Sequence, residues 1–137
     1  MNEITAAIYN LLKNDSTLVG YLTTYKSNPA ILSGFQIPEG VSYPRLHIMP
    51  GVSDFAFDSK TFLGQTLTYE IRAQVKEAES QSKVNQIAQR VRTLLHRTTS
   101  LSVTGFNVIQ VLVTNIGLTQ SGEDVIALSV FVEVTII

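Results

Sequence analysis

Apolar residues recur at helical spacing in two stretches of this chain and alternate with polar ones between and after them. Ile4, Ile8, Leu11 and Leu12 predict an opening helix, and Ala6 and Ala7 raise its propensity. Asn14, Asp15 and Ser16 stop it or cap a short continuation carrying Leu18, Val19 and Leu22. Residues 26 to 44 hold Pro29, Gly34, Pro38, Gly40 and Pro44, an irregular stretch with room for a short strand around Ile31 or Phe35.

In "YPRLHIM", residues 43 to 49, Leu46 and Ile48 alternate with Arg45, His47 and Met49. The pattern predicts a strand begun by Pro44 and closed by Pro50-Gly51. The clearest strand is "TLTYEIRAQVK". Leu67, Tyr69, Ile71, Ala73 and Val75 fall on one side; Thr66, Thr68, Glu70, Arg72, Gln74 and Lys76 fall on the other. Such alternation implies an antiparallel sheet with one packed and one polar face. A second helix comes next, with Val84, Ile87, Ala88, Val91, Leu94 and Leu95 as its apolar stripe and Ser80 as its N-cap. Glu77 and Glu79 near its start and Arg90, Arg92 and Arg97 toward its end suit the helix dipole.

Thr98 to Gly105 reads as a polar linker. Residues 106 to 116 and 125 to 137 read as two β-branched strands joined as a hairpin through Thr119 to Asp124. Both are apolar on both faces over part of their length, which predicts central strands or strands under a second layer. No repeat or domain boundary interrupts residues 1 to 137. The expected fold is one α+β domain: a mainly antiparallel, or mixed, sheet of four to five strands with two helices on one face.

Composition changes this picture in one respect. Charged residues make up 15% of the 137 residues, against about 25% in a typical domain, and mean hydropathy is +0.19. No apolar run approaches the roughly 18 residues of a spanning helix, so no membrane is expected. A surface poor in charge predicts burial against other subunits. The net charge of −1 gives no global attraction for nucleic acid or an acidic membrane surface. The absence of cysteine removes disulfides, thiolate nucleophiles and cysteine-ligated zinc. The start, Met1-Asn2-Glu3, lacks the basic region and apolar core of a secretory signal, so the protein is expected to work where it is made or to leave inside a particle.

Catalytic chemistry finds little purchase. His47 and His96, the two histidines, have no second histidine at metal-ligand spacing. Glu123-Asp124 beside Gly122 reads as a turn, and Asp54 and Asp58 as solubilising charges without a Ca²⁺-loop continuation. There is neither a G-x-S-x-G elbow nor a phosphate-cradling glycine loop. No enzyme, cofactor or metal is expected. Lys83, Arg90 and Arg97 stand seven residues apart on the second helix. They read as a solvated helix face or, alternatively, as a contact for DNA phosphates or an acidic partner.

The order of elements resembles the tail-completion, or tail-terminator, proteins of long-tailed bacteriophages and related phage-like particles. The resemblance rests on the opening helix "ITAAIYNLLKNDSTLVGYL", the proline-led strand "YPRLHIM" and the strand-to-helix run "YEIRAQVKEAESQSKVNQIAQRVRTLL" before a closing β pair. It covers about Ile4 to Val134. It implies a small virion subunit, assembled in the host cytoplasm, that forms a ring, usually of six. The ring would cap the head-proximal end of the tail tube, ending its growth and offering a joining surface to a head-completion, stopper or connector protein. DNA would pass through without sequence-specific binding. Two alternatives are another head–tail connector, such as a neck or head-closure protein, and an α+β binding module unrelated to phage.

Against that background "GVSDFAFDSKTFLGQ", residues 51 to 65, stands out, because it puts three of the chain's six phenylalanines in what reads as a loop. Phe55, Phe57 and Phe62, with Asp58 and Lys60, are the candidate subunit or partner interface, docked on a neighbour as an extended β arm. The competing expectation folds the phenylalanines back over the end of the chain's own core.

Overall fold

The computed structural model describes residues 2–34, 37–58, 63–76, 81–122 and 124–137. Helix α1 (Asn2–Lys13) buries Ile4, Ile8 and Leu12, the positions picked out by its periodicity. Asp15 then caps α2 (Ser16–Tyr21), its carboxylate accepting the Leu18 N–H at 2.8 Å. A miniature hairpin, β1 (Thr24–Tyr25) with β2 (Asn28–Pro29), turns through Lys26 and Ser27 at φ 50° and 68°. Two main-chain bonds tie the hairpin's ends to residues 44 to 46: Thr23 N–H donates to the Pro44 carbonyl, and Leu46 N–H to that of Ala30.

Strand β3 (Ile31–Ser33) pairs parallel to β4 (Arg45–Asp58). β4 pairs antiparallel with β5 (Leu63–Lys76). After α3 (Gln81–Leu95) come β6 (Val108–Gly122) and β7 (Val125–Ile136). The sheet order is β3-β4-β5-β7-β6, so its one parallel pair is β3 with β4 and the sheet is mixed. The fold is α+β, as the pattern predicts.

Helices α1 and α3 cover one face. Leu67, Tyr69, Ile71, Ala73 and Val75 of β5 meet Val84, Ile87, Ala88, Val91 and Leu95 of α3 in one core, to which β7 adds Val130, Val132, Val134 and Ile136. The helical period of α3 and the period-2 alternation of β5 are what bring these residues together.

Four expectations are corrected. Pro50-Gly51 does not close its strand: β4 continues to Asp58, and the register with β5 shifts between Met49 and Ser53. That irregularity absorbs the proline, which cannot donate to a ladder. The segment from 51 is therefore strand, paired from Ser53 to Asp58 and again from Leu63. The closing hairpin is tighter than a six-residue connection: β6 runs to Gly122 and β7 starts at Val125, with Asp124 at φ 67°. And Thr98 to Gly105 is more than a polar linker, since Leu101 and Val103 are buried in the core. Phe35, Glu77, Glu79, Ser80 and Glu123, to which the sequence pattern assigns roles, lie outside the described residues.

Candidate assembly interface

Of the five candidate interface residues the structure describes three. Phe55 pairs with Thr66, Phe57 with Gly64 and Asp58 with Leu63, so the three occupy the last part of β4. Lys60 and Phe62 lie outside the described residues. Phe55, Phe57 and Asp58 therefore lie where β4 and β5 pair at one end of the sheet.

The second candidate group divides. Arg90 makes a bidentate pair with Asp15, Nη2 to Oδ1 at 2.7 Å and Nε to Oδ2 at 2.9 Å, and ties α3 to the start of α2. That hydrogen bond is the main reason the Asp15 carboxyl is held below its ordinary value of 3.8 and the Arg90 guanidinium is pushed further up. Arg97 lies just beyond α3 at φ 57°, exposed, with its backbone N–H on the Val111 carbonyl at 2.8 Å. Lys83 is half-buried in the first turn of α3. Arg90 is thus committed inside the chain, and the seven-residue spacing does not make one free cationic row.

The helix-free face of the sheet is polar and closely bonded. Glu70 on β5 accepts from Arg72 Nη2 at 2.8 Å and from Ser129 Oγ of β7 at 2.5 Å. Arg45 donates to Gln74 at 2.8 Å, to the Val41 carbonyl at 3.0 Å and to the Tyr43 hydroxyl at 3.0 Å. His47 is 4% exposed, and its Nε2 meets the Gly34 carbonyl at 2.5 Å. Burial, then Arg72 and Arg45, push the His47 imidazole below its ordinary 6.5 against the pull of that carbonyl and of Glu70. His96, the other histidine, accepts the Val113 N–H through Nδ1 at 3.0 Å. Both imidazoles hold backbone in place. Among the described residues no group of three or more His, Cys, Asp or Glu side chains could hold a metal, and no helix is long and apolar enough to cross a membrane.

The structure adds residues that the sequence pattern does not single out. Among the described residues the exposed large hydrophobics are Phe106 at 38%, Ile109 at 53% and Leu118 at 57%, on or just before β6. Of the two expectations for β6, a central strand or a strand under a second layer, the first is corrected: among the described residues it is an edge strand with β7 as its single partner in the sheet. Its ladder is broken by register shifts at 108/110, 113/115 and 118/120. Asn115 and Gly117 were the available signal, since both residue types are depleted in central strands. A hollow of about 160 Å³ beside Phe106 is lined by Gly64, Gln65, Ile136 and Ile137. A second, of about 350 Å³, joins Arg97, Thr98 and Thr99 to Ile109, Gln110 and Leu112. The first hollow lies by the start of β5 and the end of β7, the second beside the outer edge of β6.

No protein-family profile matches the sequence, and no curated protein sequence matches it. Solved structures do. One chain, from "Virion of native gene transfer agent (GTA) particle", superposes with a TM-score of 0.81 at 15% identity, over 97% of this chain and 93% of its own. A second solved chain superposes with a TM-score of 0.57 at 12% identity, over 99% of this chain and 94% of its own. At these identities the similarity is one of fold, and it spans nearly the whole of each chain.

Proposed function

We propose that this chain is a structural subunit of a phage-like particle, and specifically a tail terminator. Copies form a ring, a hexamer on the family resemblance, on the head-proximal end of the tail tube. There the ring stops tube growth and offers a joining surface to a head-completion or connector protein. The observation that carries this reading is the near full-length fold likeness to a chain of a gene transfer agent virion. The position of β6 at the sheet edge, with Ile109 and Leu118 exposed, supports it as a surface for assembly. Termination is passive in this reading: a ring whose outer face does not resemble the tube's leaves the next tube ring nothing to bind.

Deleting the gene tests the proposal. Tails should become irregular and overlong and fail to join heads. Purified protein added to growing tubes should cap them without ATP. Tails of normal length in the deletion would refute the terminator role and leave the neck or head-closure alternative.

A further inference from the structure

Among the described residues, no strand pairs with either outer edge of the sheet at one level. β3 pairs with β4 only across 46 to 48, and among the described residues no strand pairs with the outer edge of 53 to 58. The register can be followed straight across. Ser53 stands opposite Thr68, which stands opposite Glu133, which stands opposite Leu112. Ala56 leads in the same way through Gln65 and Ile136 to Val108. The uncovered half of β4 is therefore level with residues 108 to 112 of β6. There Ile109, the extra residue in the shift between Val108 and Gln110, is 53% exposed, and Phe106 lies just before it.

Strand direction completes the match. β4, β5, β7 and β6 alternate without a break, so β4 and β6 run in opposite directions. A second copy set beside β6 in the same orientation brings its own β4 in as the next antiparallel strand. The other end of the sheet cannot take this joint. There Leu118 is level, through Leu128 and Ala73, with Leu46, which β3 already covers. Higher on β6 the end of α3 occupies the edge, with Arg97 N–H on Val111 and His96 Nδ1 on the Val113 N–H. At the start of β6, Thr98 and Thr99 stand across a hollow of about 350 Å³ from Ile109 and Gln110, and Ile109 keeps 53% of its surface exposed.

We infer that copies of this chain join head to tail by main-chain pairing between the end of β4, residues 55 to 58, and the start of β6, residues 108 to 110, of the next copy. Ile109 and Phe106 are covered in the joint. Two different patches meet, so the contact closes into a ring or runs on as a filament. A two-fold pairing of β6 with β6 would leave the end of β4 uncovered in every copy. With a net charge of −1, neighbouring copies repel each other little. The inference deepens the ring reading and rests on it for the joint's biological setting.

The cysteine-free chain makes the test clean. Neighbouring antiparallel strands place facing Cα atoms within disulfide reach, about 4.5–5.5 Å apart. An Ala56→Cys, Ile109→Cys double variant, mildly oxidised in particles and in concentrated solution, should give a ladder of covalent oligomers that ends at the ring size. Each single variant should stay monomeric on the same denaturing gel. Covalent dimers from either single variant, or no ladder in either setting, overturn the joint. Independently, Ile109→Lys should keep the melting temperature and weaken self-association at least about tenfold, since it removes one buried apolar side chain and adds a charge. Unchanged association would also overturn it. The ladder reads the joint and tail length reads the terminator role, so either can fail while the other stands.

Discussion

β6 and β7 are alike in composition and opposite in circumstance. "VIQVLVTNIG" and "VIALSVFVEV" are both dominated by β-branched and aliphatic residues. β7 has partners on both sides and α3 beneath it; Val130, Val132 and Val134 are fully buried, and even Ser129 on its polar face is closed in by Glu70. β6 has one partner, three register shifts and two largely exposed aliphatic side chains. An apolar strand announces that it will be covered, not what will cover it. For β7 the cover is the domain itself; for β6 the proposed joint supplies it.

A matched pair of isoleucines gives the largest expected effect. Ile136 of β7 is 1% exposed and Ile109 of β6 is 53% exposed. Ile136→Ala should cost about 2–3 kcal/mol, the lower part of the range for buried truncations, because the site lies at a strand end. Ile109→Ala should change monomer stability by less than about 0.5 kcal/mol. Urea denaturation of both variants at low concentration measures the contrast. Equal losses would mean that the start of β6 belongs to the monomer's core, and the comparison would collapse.

The next effect lies in what holds the cover over β7. α3 is fastened to α2 through Arg90 and Asp15, and Asp15 also caps α2. Asp15→Ala should cost about 1 kcal/mol through the cap alone, with loss of the ion pair adding to it. The same residue sets a pH dependence. Its folded carboxyl titrates below the ordinary 3.8, chiefly through Arg90, so its contribution is complete above that value and is lost as pH falls through the folded one. Thermal melts at pH 7 and pH 3 should show a shallower acid loss for Asp15→Asn than for the parent. The same slope in both would show that the pair leaves α3's seating on β7 to apolar packing.

Helices α1 and α3 and strand β5 are legible because their periods are clean and their faces are served within the chain. Tyr69, Ile71, Ala73 and Val75 could be placed in the core from alternation alone. β3 was readable only as a short strand near Ile31, and its parallel pairing was not, because three residues carry no directional signal. Pro50-Gly51 read as a stop because the bulge that carries a proline through a strand depends on the partner's register. The edge position of β6 escaped for a similar reason. Strand order is a long-range property, and Asn115 and Gly117 are its only local trace. Of the candidate interface, Phe55, Phe57 and Asp58 stand out in the sequence as an anomaly, while Phe106, Ile109 and Leu118 look like ordinary strand residues.

The smallest effect bears on why β6 is not open along its whole length. His96 Nδ1 accepts the Val113 N–H at 3.0 Å, and the Arg97 N–H reaches the Val111 carbonyl at 2.8 Å. The end of α3 thus occupies the middle of an edge that would otherwise offer backbone groups to any strand. Arg97 makes its bond from a left-handed conformation that a non-glycine residue adopts at some cost, so the turn is held in place by what it binds. His96→Ala removes one acceptor from a partly buried N–H and should cost about 0.5–1.5 kcal/mol. His96→Asn, whose side-chain oxygen can stand near the place of Nδ1, should restore part of it. The discriminating readout is hydrogen exchange at the Val113 amide, which should quicken in the alanine variant while the β7 amides keep their protection. If β7 quickens equally, the two strands open as one unit, and the edge is protected by the whole sheet and not by this imidazole.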